Sequence, residues 1–311
     1  MTINVLFAAK TEGWAVYRDP LNNALTAAGL TGFDLRDDFP PEDVDYIVYA
    51  PNSTLQDFSP FTRLRAVMNL WAGVEDVVGN PTLRAPLTRM VDHGLKQGMT
   101  EWVTGHVLRH HLGMDTHISG QDGVWRKAIP PLVEDRPVTI LGMGALGQAC
   151  AQSLVQLGFP VTSWSRSAKQ IDNVRSFHGD AGLQMALRDA EILVLLLPDT
   201  AATTNIINIE TLSWLARGAF LINPGRGTLV DDAALIKHLD SGQIGHATLD
   251  VFRTEPLPAD HPYWAHPRVT VTPHIASSTR ETTASKVIAE NIRRDQNGEA
   301  MLYLVDREMG Y

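Results

Sequence analysis

Residues 138–154, VTILGMGALGQACAQSL, join a short, nearly continuous apolar run to a turn with glycines at 142, 144 and 147, followed by a helical run. A strand apolar on both faces must be covered on both faces, which calls for a parallel sheet flanked by helices. The same alternation recurs along the chain. INVLFAA reads as a strand, PLNNALTAAG as a helix, and VDYIVYAP, LRAVMNLW and PLTRMVDH as further strands. From Thr100, TEWVTGHVLRHHLGMD predicts a long helix, with Trp102, Val103, Val107, Leu108 and Leu112 at helical spacing. An irregular segment, SGQDGVWRKAIPPLVEDRP, follows it. Alternation then resumes through VTILG, PVTSWS, EILVLLL, GAFLIN, HATLD and VTVTP, with helices between. The tail, ETTASKVIAENIRRDQNG and then MLYLVD, predicts a helix and a final strand packing back on the first domain.

The fold class is therefore α/β, with two Rossmann-like domains built on parallel sheets. The expected boundaries are 1–97 with 281–311 for a discontinuous first domain, and 98–280 for the second. Hydrophobic content of 44% and charged content of 20% argue against disorder. The net charge of −9 disfavours a sequence-independent grip on nucleic acid. The apolar run ILVLLLP is too short to cross a bilayer, and TINVLFAA lacks the basic start of a signal peptide. Cys150 is the only cysteine, so no disulfide framework exists and a reducing cytoplasm is the expected compartment. Its place in GQACAQSL predicts a buried thiol packing helix to sheet. No metal site is expected.

The glycine turn carries chemistry. Gly142, Gly144 and Gly147 form G-x-G-x-x-G between strand and helix, the context of a dinucleotide site. The first glycine permits the tight turn, the second lets backbone approach a pyrophosphate, and the third allows close helix–strand packing. Met143, Ala145 and Leu146 complete the loop, and the helix N-terminus supplies N–H groups and positive dipole. The next strand ends in Ser165-Arg166-Ser167 rather than an acid. Nothing there repels a 2′-phosphate, and Arg166 can bind one through charge-assisted hydrogen bonds. NADPH is the expected cofactor, with NADH possible.

Three further residues follow strand ends: Arg226 in NPGRG, Glu255 in RTEPLP and His274 in TPHIAS. Such sheets bind ligands at the carboxyl ends of their strands. A guanidinium can bind a carboxylate and polarise a ketone, an imidazolium can donate a proton, and a neighbouring carboxylate favours the imidazolium. That set suits reduction of a 2-keto acid.

Together with WAGVED at Trp71, EWVTGHVL, LLLPDT, NPGRGTLVDDAAL, GHATLDVFRTEPLP, HPRVTVTPHIAS and VDREMGY, these motifs resemble the D-2-hydroxyacid dehydrogenase family over nearly the whole chain. The resemblance implies a flavodoxin-like substrate domain beside an NAD(P)-binding Rossmann domain. It implies that Arg226 polarises the keto acid, His274 is the general acid and Glu255 orients it. Backbone N–H groups at Ala72 and Gly73 would receive the substrate carboxylate. Asp250 would hold the nicotinamide carboxamide, and Leu197, Pro198, Thr203, Pro224, Gly225, Ala276 and Ser277 would line the cofactor. A homodimer through the cofactor domains is implied, with VWRKAIPPLVED reaching toward the partner.

Trp71 departs from the small residue common in similar sequences. Facing a cleft it would favour glyoxylate-sized acids; facing the core it would say nothing. The loop reads GVED rather than GVD, leaving its register open. Met99 and Trp102 are further candidate pocket walls, with helix packing the better reading for Trp102. The function expected is NADPH-dependent reduction of small 2-keto acids such as glyoxylate and hydroxypyruvate. The alternatives are a dehydrogenase for phosphite, formate or a larger 2-hydroxy acid, and a nucleotide-sensing binding protein without turnover.

Overall fold

The computed structural model describes residues 2–311; Met1 lies outside the described residues. The chain divides into two compact units, Met1–Leu95 with Ser278–Tyr311, and Lys96–Ser277.

The first unit holds β1 (Ile3–Ala8), β2 (Phe33–Arg36), β3 (Tyr46–Tyr49), β4 (Ala66–Asn69) and β5 (Leu87–Thr88). They pair in parallel in the order β2-β1-β3-β4-β5, the flavodoxin-like arrangement. β3 and β4 are buried along their whole length, which is why their sequences run apolar without alternation. The helix Glu281–Gln296 turns Ala284, Ile288, Ala289 and Ile292 into the core formed by Val5, Leu21, Leu25 and Met68. The final strand expected at MLYLVD is not a parallel element. Val305 N donates to Leu87 O and Arg89 N to Tyr303 O, so this stretch pairs only briefly, antiparallel to β5.

The second unit holds β6 (Val138–Leu141), β7 (Val161–Ser165), β8 (Val174–His178), β9 (Ile192–Leu195), β10 (Ala219–Asn223), β11 (Ile244–Leu249) and β12 (Val269–Val271). All pairs are parallel, in the order β12-β11-β10-β9-β6-β7-β8. Chain order reverses between β6 and β9, the crevice where open α/β sheets take nucleotides. β2 and β8 escape detection by sequence because each is a half-exposed edge strand lacking a continuous apolar run. Cys150 is fully buried against this sheet, and burial pushes its thiol up to about 12, in keeping with a packing role.

The long helix begins at His93, earlier than the apolar spacing suggests, and ends at His111. Buried Asp92 starts it by accepting from the N–H groups of Gly94 and Leu95. Its last turns dock onto β10–β12 through polar rings. His110 stacks on Phe220 at 4.6 Å and its Nε2 lies 2.9 Å from Thr248 Oγ1. His246 Nε2 lies 2.8 Å from Thr270 Oγ1, which also accepts from Arg109. Burial, then the neighbouring His246 ring and the Arg109 guanidinium, hold His110 down at about 3; burial and Arg109 hold His246 at about 4.

Both rings are therefore neutral in the fold, whereas the unfolded chain binds those protons from about pH 6.5. Stability from this cluster is complete above pH 6.5 and is lost as pH falls toward 4 and then 3. His110 alone supplies a slope of at most about 1.4 kcal/mol per pH unit. Urea unfolding at pH 7, 5.5 and 4.5 should show this decline, and His246→Gln should flatten it. Identical slopes for the two proteins would remove His246 from the acid sensitivity.

Among the described residues, no helix is long and apolar enough to cross a membrane. Nor, among them, does any group of three or more His, Cys, Asp or Glu stand ready to hold a metal ion.

Candidate active site

The candidate site residues of the second unit lie on loops at the carboxyl ends of β6, β7, β9, β10, β11 and β12. The glycine turn after β6 can be tested for a dinucleotide by asking what a side chain would meet. A Cβ on Gly147 would lie 1.8 Å from Gly142 O, and one on Gly142, at φ +106°, would lie 2.4 Å from Leu196 O. Gly144 is exposed, with nothing within 4 Å of its would-be Cβ. The first and third glycines are thus demanded by the chain's own packing, and the second leaves an open backbone face. That face begins the helix Ala145–Gln156, whose N-terminus carries no side-chain cap. Backbone N–H groups and the helix dipole there would suit a pyrophosphate.

Met143 is buried in the core and Ala145 and Leu146 are half-buried, so this loop offers a ligand backbone more than side chains. After β7, Ser165 Oγ donates to Ser167 O at 2.8 Å, shaping the turn that exposes Arg166 and Ser167. After β9, Leu197 is buried and Pro198 half-buried. Thr203 Oγ1 donates to Pro198 O at 2.7 Å and accepts from Thr200 N, closing the loop on itself.

Arg226 sits on the turn after β10. The sequence reading missed the residue that shapes this turn: Asn223, 1% exposed, donates from Nδ2 to Arg226 O and accepts from Gly225 N. Pro224 and Gly225 are buried beneath it, while Arg226 itself is half-buried, with Nη1 donating to Gly225 O. A Cβ on Gly227 would lie 2.0 Å from the Phe252 carbonyl carbon. The Arg226 turn and the loop after β11 therefore touch backbone to backbone, and only glycine permits that approach.

That second loop carries Glu255. Its Oε1 accepts from Phe252 N at 2.9 Å, and its Oε2 lies 2.7 Å from His274 Nδ1. A carboxylate only accepts, so Nδ1 carries the hydrogen and Nε2 is the ring nitrogen left for a substrate. His274 is held in the left-handed region at φ 54° by its neighbours. Its N–H donates to Asp250 O at 2.8 Å. Asp250, fully buried, accepts on its carboxylate from Thr272 Oγ1, Ile275 N and Ala276 N. Asp250 thus organises the 272–276 loop, a role its sequence position did not reveal. Ala276 is buried and Ser277 half-buried at the loop's far end.

In the first unit, Asn69 ends β4 fully buried, and its Nδ2 donates to Trp71 O and to Gly73 O. This fixes the Trp71-Ala72-Gly73 loop much as Asn223 fixes the Arg226 turn. A buried Asn closing an apolar strand was the overlooked signal in both places. Trp71 is 39% exposed, which eliminates the core-facing reading. Glu75 and Asp76 open a short helix, Glu75–Val78, which settles the register of GVED. Met99 needs correction as a pocket wall: it is 6% exposed and packs with Val103, Val107 and Ala276. Helical spacing alone does not separate a ligand wall from a core residue. Trp102 packs on the same cluster and against His106, as helix packing requires.

Residues 104–276 match the family model described as D-isomer specific 2-hydroxyacid dehydrogenase, NAD binding domain. A glyoxylate/hydroxypyruvate reductase A from Serratia proteamaculans is 41% identical over 80% of this chain and 82% of its own. One from Salmonella paratyphi B is 36% identical over 99% of this chain and 100% of its own. Two solved structures have the same architecture. A D-isomer specific 2-hydroxyacid dehydrogenase from Xanthobacter autotrophicus Py2, in complex with NADPH and MES, superposes with a TM-score of 0.93 at 39% identity, covering 100% of both chains. An NADPH-dependent glyoxylate/hydroxypyruvate reductase from Sinorhizobium meliloti, in complex with NADP and sulfate, gives 0.85 at 33% identity, covering 99% of this chain and 100% of that one. From the matched domain, the full-length relatives and the parallel sheets that carry these loops, the chain belongs to the D-isomer specific 2-hydroxyacid dehydrogenase family.

Proposed function

We propose that this chain reduces small 2-keto acids such as glyoxylate and hydroxypyruvate to 2-hydroxy acids, with NADPH as the preferred reductant. The observation that carries the reading is the His274–Glu255 pair at 2.7 Å, on a loop in backbone contact with the Arg226 turn. Bound nicotinamide supplies the hydride to the carbonyl carbon. Arg226 binds and polarises the keto acid, and His274 Nε2 gives its proton to the carbonyl oxygen. Glu255 holds Nδ1–H and orients the ring, so that the protonated imidazole presents its Nε2–H to the carbonyl oxygen. In the first unit, the Trp71-Ala72-Gly73 loop is the proposed source of backbone N–H groups for a carboxylate, with the exposed Trp71 a proposed limit on substrate size.

The glycine turn, Ser165, Arg166 and Ser167 hold the dinucleotide. The absence of an acid after β7 and the exposure of Arg166 support a 2′-phosphate at that position. The two NADPH- or NADP-bound relatives support the same preference. Arg166→Ala should therefore raise the Michaelis constant for NADPH about ten- to a hundredfold, the loss of one charge-assisted hydrogen bond. That for NADH should barely move; equal effects on both would sink the phosphate-binding role.

A second copy of the chain is the proposed partner. The segment from 113 to 132 exposes Ile118, Val124, Trp125, Ile129 and Leu132, with Trp125 92% exposed. An apolar stretch of this kind marks an interaction surface. Light scattering that finds only monomers would overturn the dimer. The single buried thiol supports a reducing cytoplasm as the compartment.

Steady-state rates with a panel of 2-keto acids, each with NADPH and NADH, test the activity. NADP⁺ reduction with phosphite or formate is the contrary outcome.

A further inference from the structure

The loop that carries Glu255 is exposed from Arg253 to Pro256, so burial does little to hold the carboxylate where His274 needs it. Phe252 and Leu257 anchor the loop's shoulders on the core, but the stretch between them has no apolar grip. What it has is Arg253. The Arg253 guanidinium donates from Nη2 to Val230 O at 2.5 Å, to Thr228 O at 3.2 Å and to Asn205 Oδ1. Its Nε stands 3.7 Å from Asp232 Oδ2. The acceptors at 228 and 230 lie just beyond Arg226, on the turn that Gly227 already presses against Phe252.

Asp232 closes a bracket. Its other oxygen, Oδ1, accepts from Tyr263 OH at 2.8 Å, and Tyr263 is buried downstream of the same loop. Arg253 before Glu255 and Tyr263 after it are thus fastened to one carboxylate at the start of the helix Asp232–Asp240. A planar guanidinium suits this task because its fixed fork can engage several carbonyls and a carboxylate together, which a lysine ammonium does less well.

We infer that Arg253 is a positioning residue for the reduction, locking the Glu255 loop to the Arg226 turn so that Glu255 stays in register with His274. It touches neither substrate nor nicotinamide in this role, and it acts through Glu255. The inference rests on the proposed assignment of Glu255 and His274, and its test is built to separate the two.

Arg253→Met should lower kcat with glyoxylate about tenfold or more, while the Michaelis constant for NADPH changes less than about threefold. Arg253→Lys should recover part of the loss. In a Glu255→Gln background, Arg253→Met should add almost nothing, because the residue it positions is already disabled; residues acting on one group are non-additive. Full additivity would show that Arg253 acts elsewhere and would overturn the inference.

Hydrogen exchange of the protein without substrate supplies a readout independent of turnover. Amides of residues 252–258 should exchange faster in Arg253→Met and Arg253→Lys, with Arg253→Met the larger. Unchanged exchange would overturn the brace whatever the enzyme reduces. Faster exchange in a protein inactive toward every keto acid would keep the brace and refute the assigned reaction instead.

Discussion

His274→Ala is expected to lower kcat by roughly 10²–10⁴-fold, the usual contribution of a positioned general acid. The Michaelis constant for NADPH should hardly change, because the glycine turn and the Ser165–Ser167 loop lie after other strands of the sheet. The loss should not reflect a disturbed loop. His274 occupies left-handed backbone at φ 54°, a conformation asparagine adopts more readily than most residues. His274→Asn therefore preserves the loop while removing the acid, and it should lose as much activity as alanine. Stopped-flow hydride transfer with glyoxylate checks both variants. Near-normal turnover in either would remove His274 from proton donation.

Gly147→Ala should also have a large effect, through a different route. The added methyl would sit 1.8 Å from Gly142 O, which is backbone and cannot swing aside. The helix Ala145–Gln156 must then move off its strand or the glycine turn must open. Overpacking of this kind costs about 1–3 kcal/mol or more, and the opened turn should weaken NADPH at least about tenfold. Gly144→Ala is the informative partner, since its methyl meets nothing within 4 Å. That variant should melt like the wild type yet bind NADPH poorly, because the methyl occupies the open backbone face. Differential scanning calorimetry with a fluorescence titration of NADPH separates fold from cofactor. A Gly147→Ala protein that melts and binds normally would refute the packing argument.

Much of the architecture was legible because its information is local. β3, β4, β6 and β9 are buried on both faces and announce themselves as apolar runs. β2 and β8 do not, since an edge strand needs only partial cover. The start of the long helix was misplaced because its signal is a single buried cap, Asp92, and not a periodic stripe. At the site, Arg226, Glu255 and His274 stood out as chemistry-bearing residues after strand ends. Their supports did not. Asn69, Asn223, Asp250 and Arg253 act largely on backbone groups of their loops. Backbone acceptors and donors are the same at every position, so nothing in the side-chain pattern points to them. Met99 failed in the opposite sense, its helical spacing fitting a wall and a core equally well.

The reversal of strand order between β6 and β9 has a consequence for how such a chain changes over time. The Arg166 turn hangs from β7 on one side of that reversal, and the three residues proposed to handle the acid follow β10, β11 and β12 on the other. Each half is wired mainly to its own loops. Descendants, or an engineer, can rewrite the turn after β7, the proposed ribose contact, without retuning the loops after β10, β11 and β12. The sheet behaves as a chassis on which the turn after β7 is a separately replaceable part.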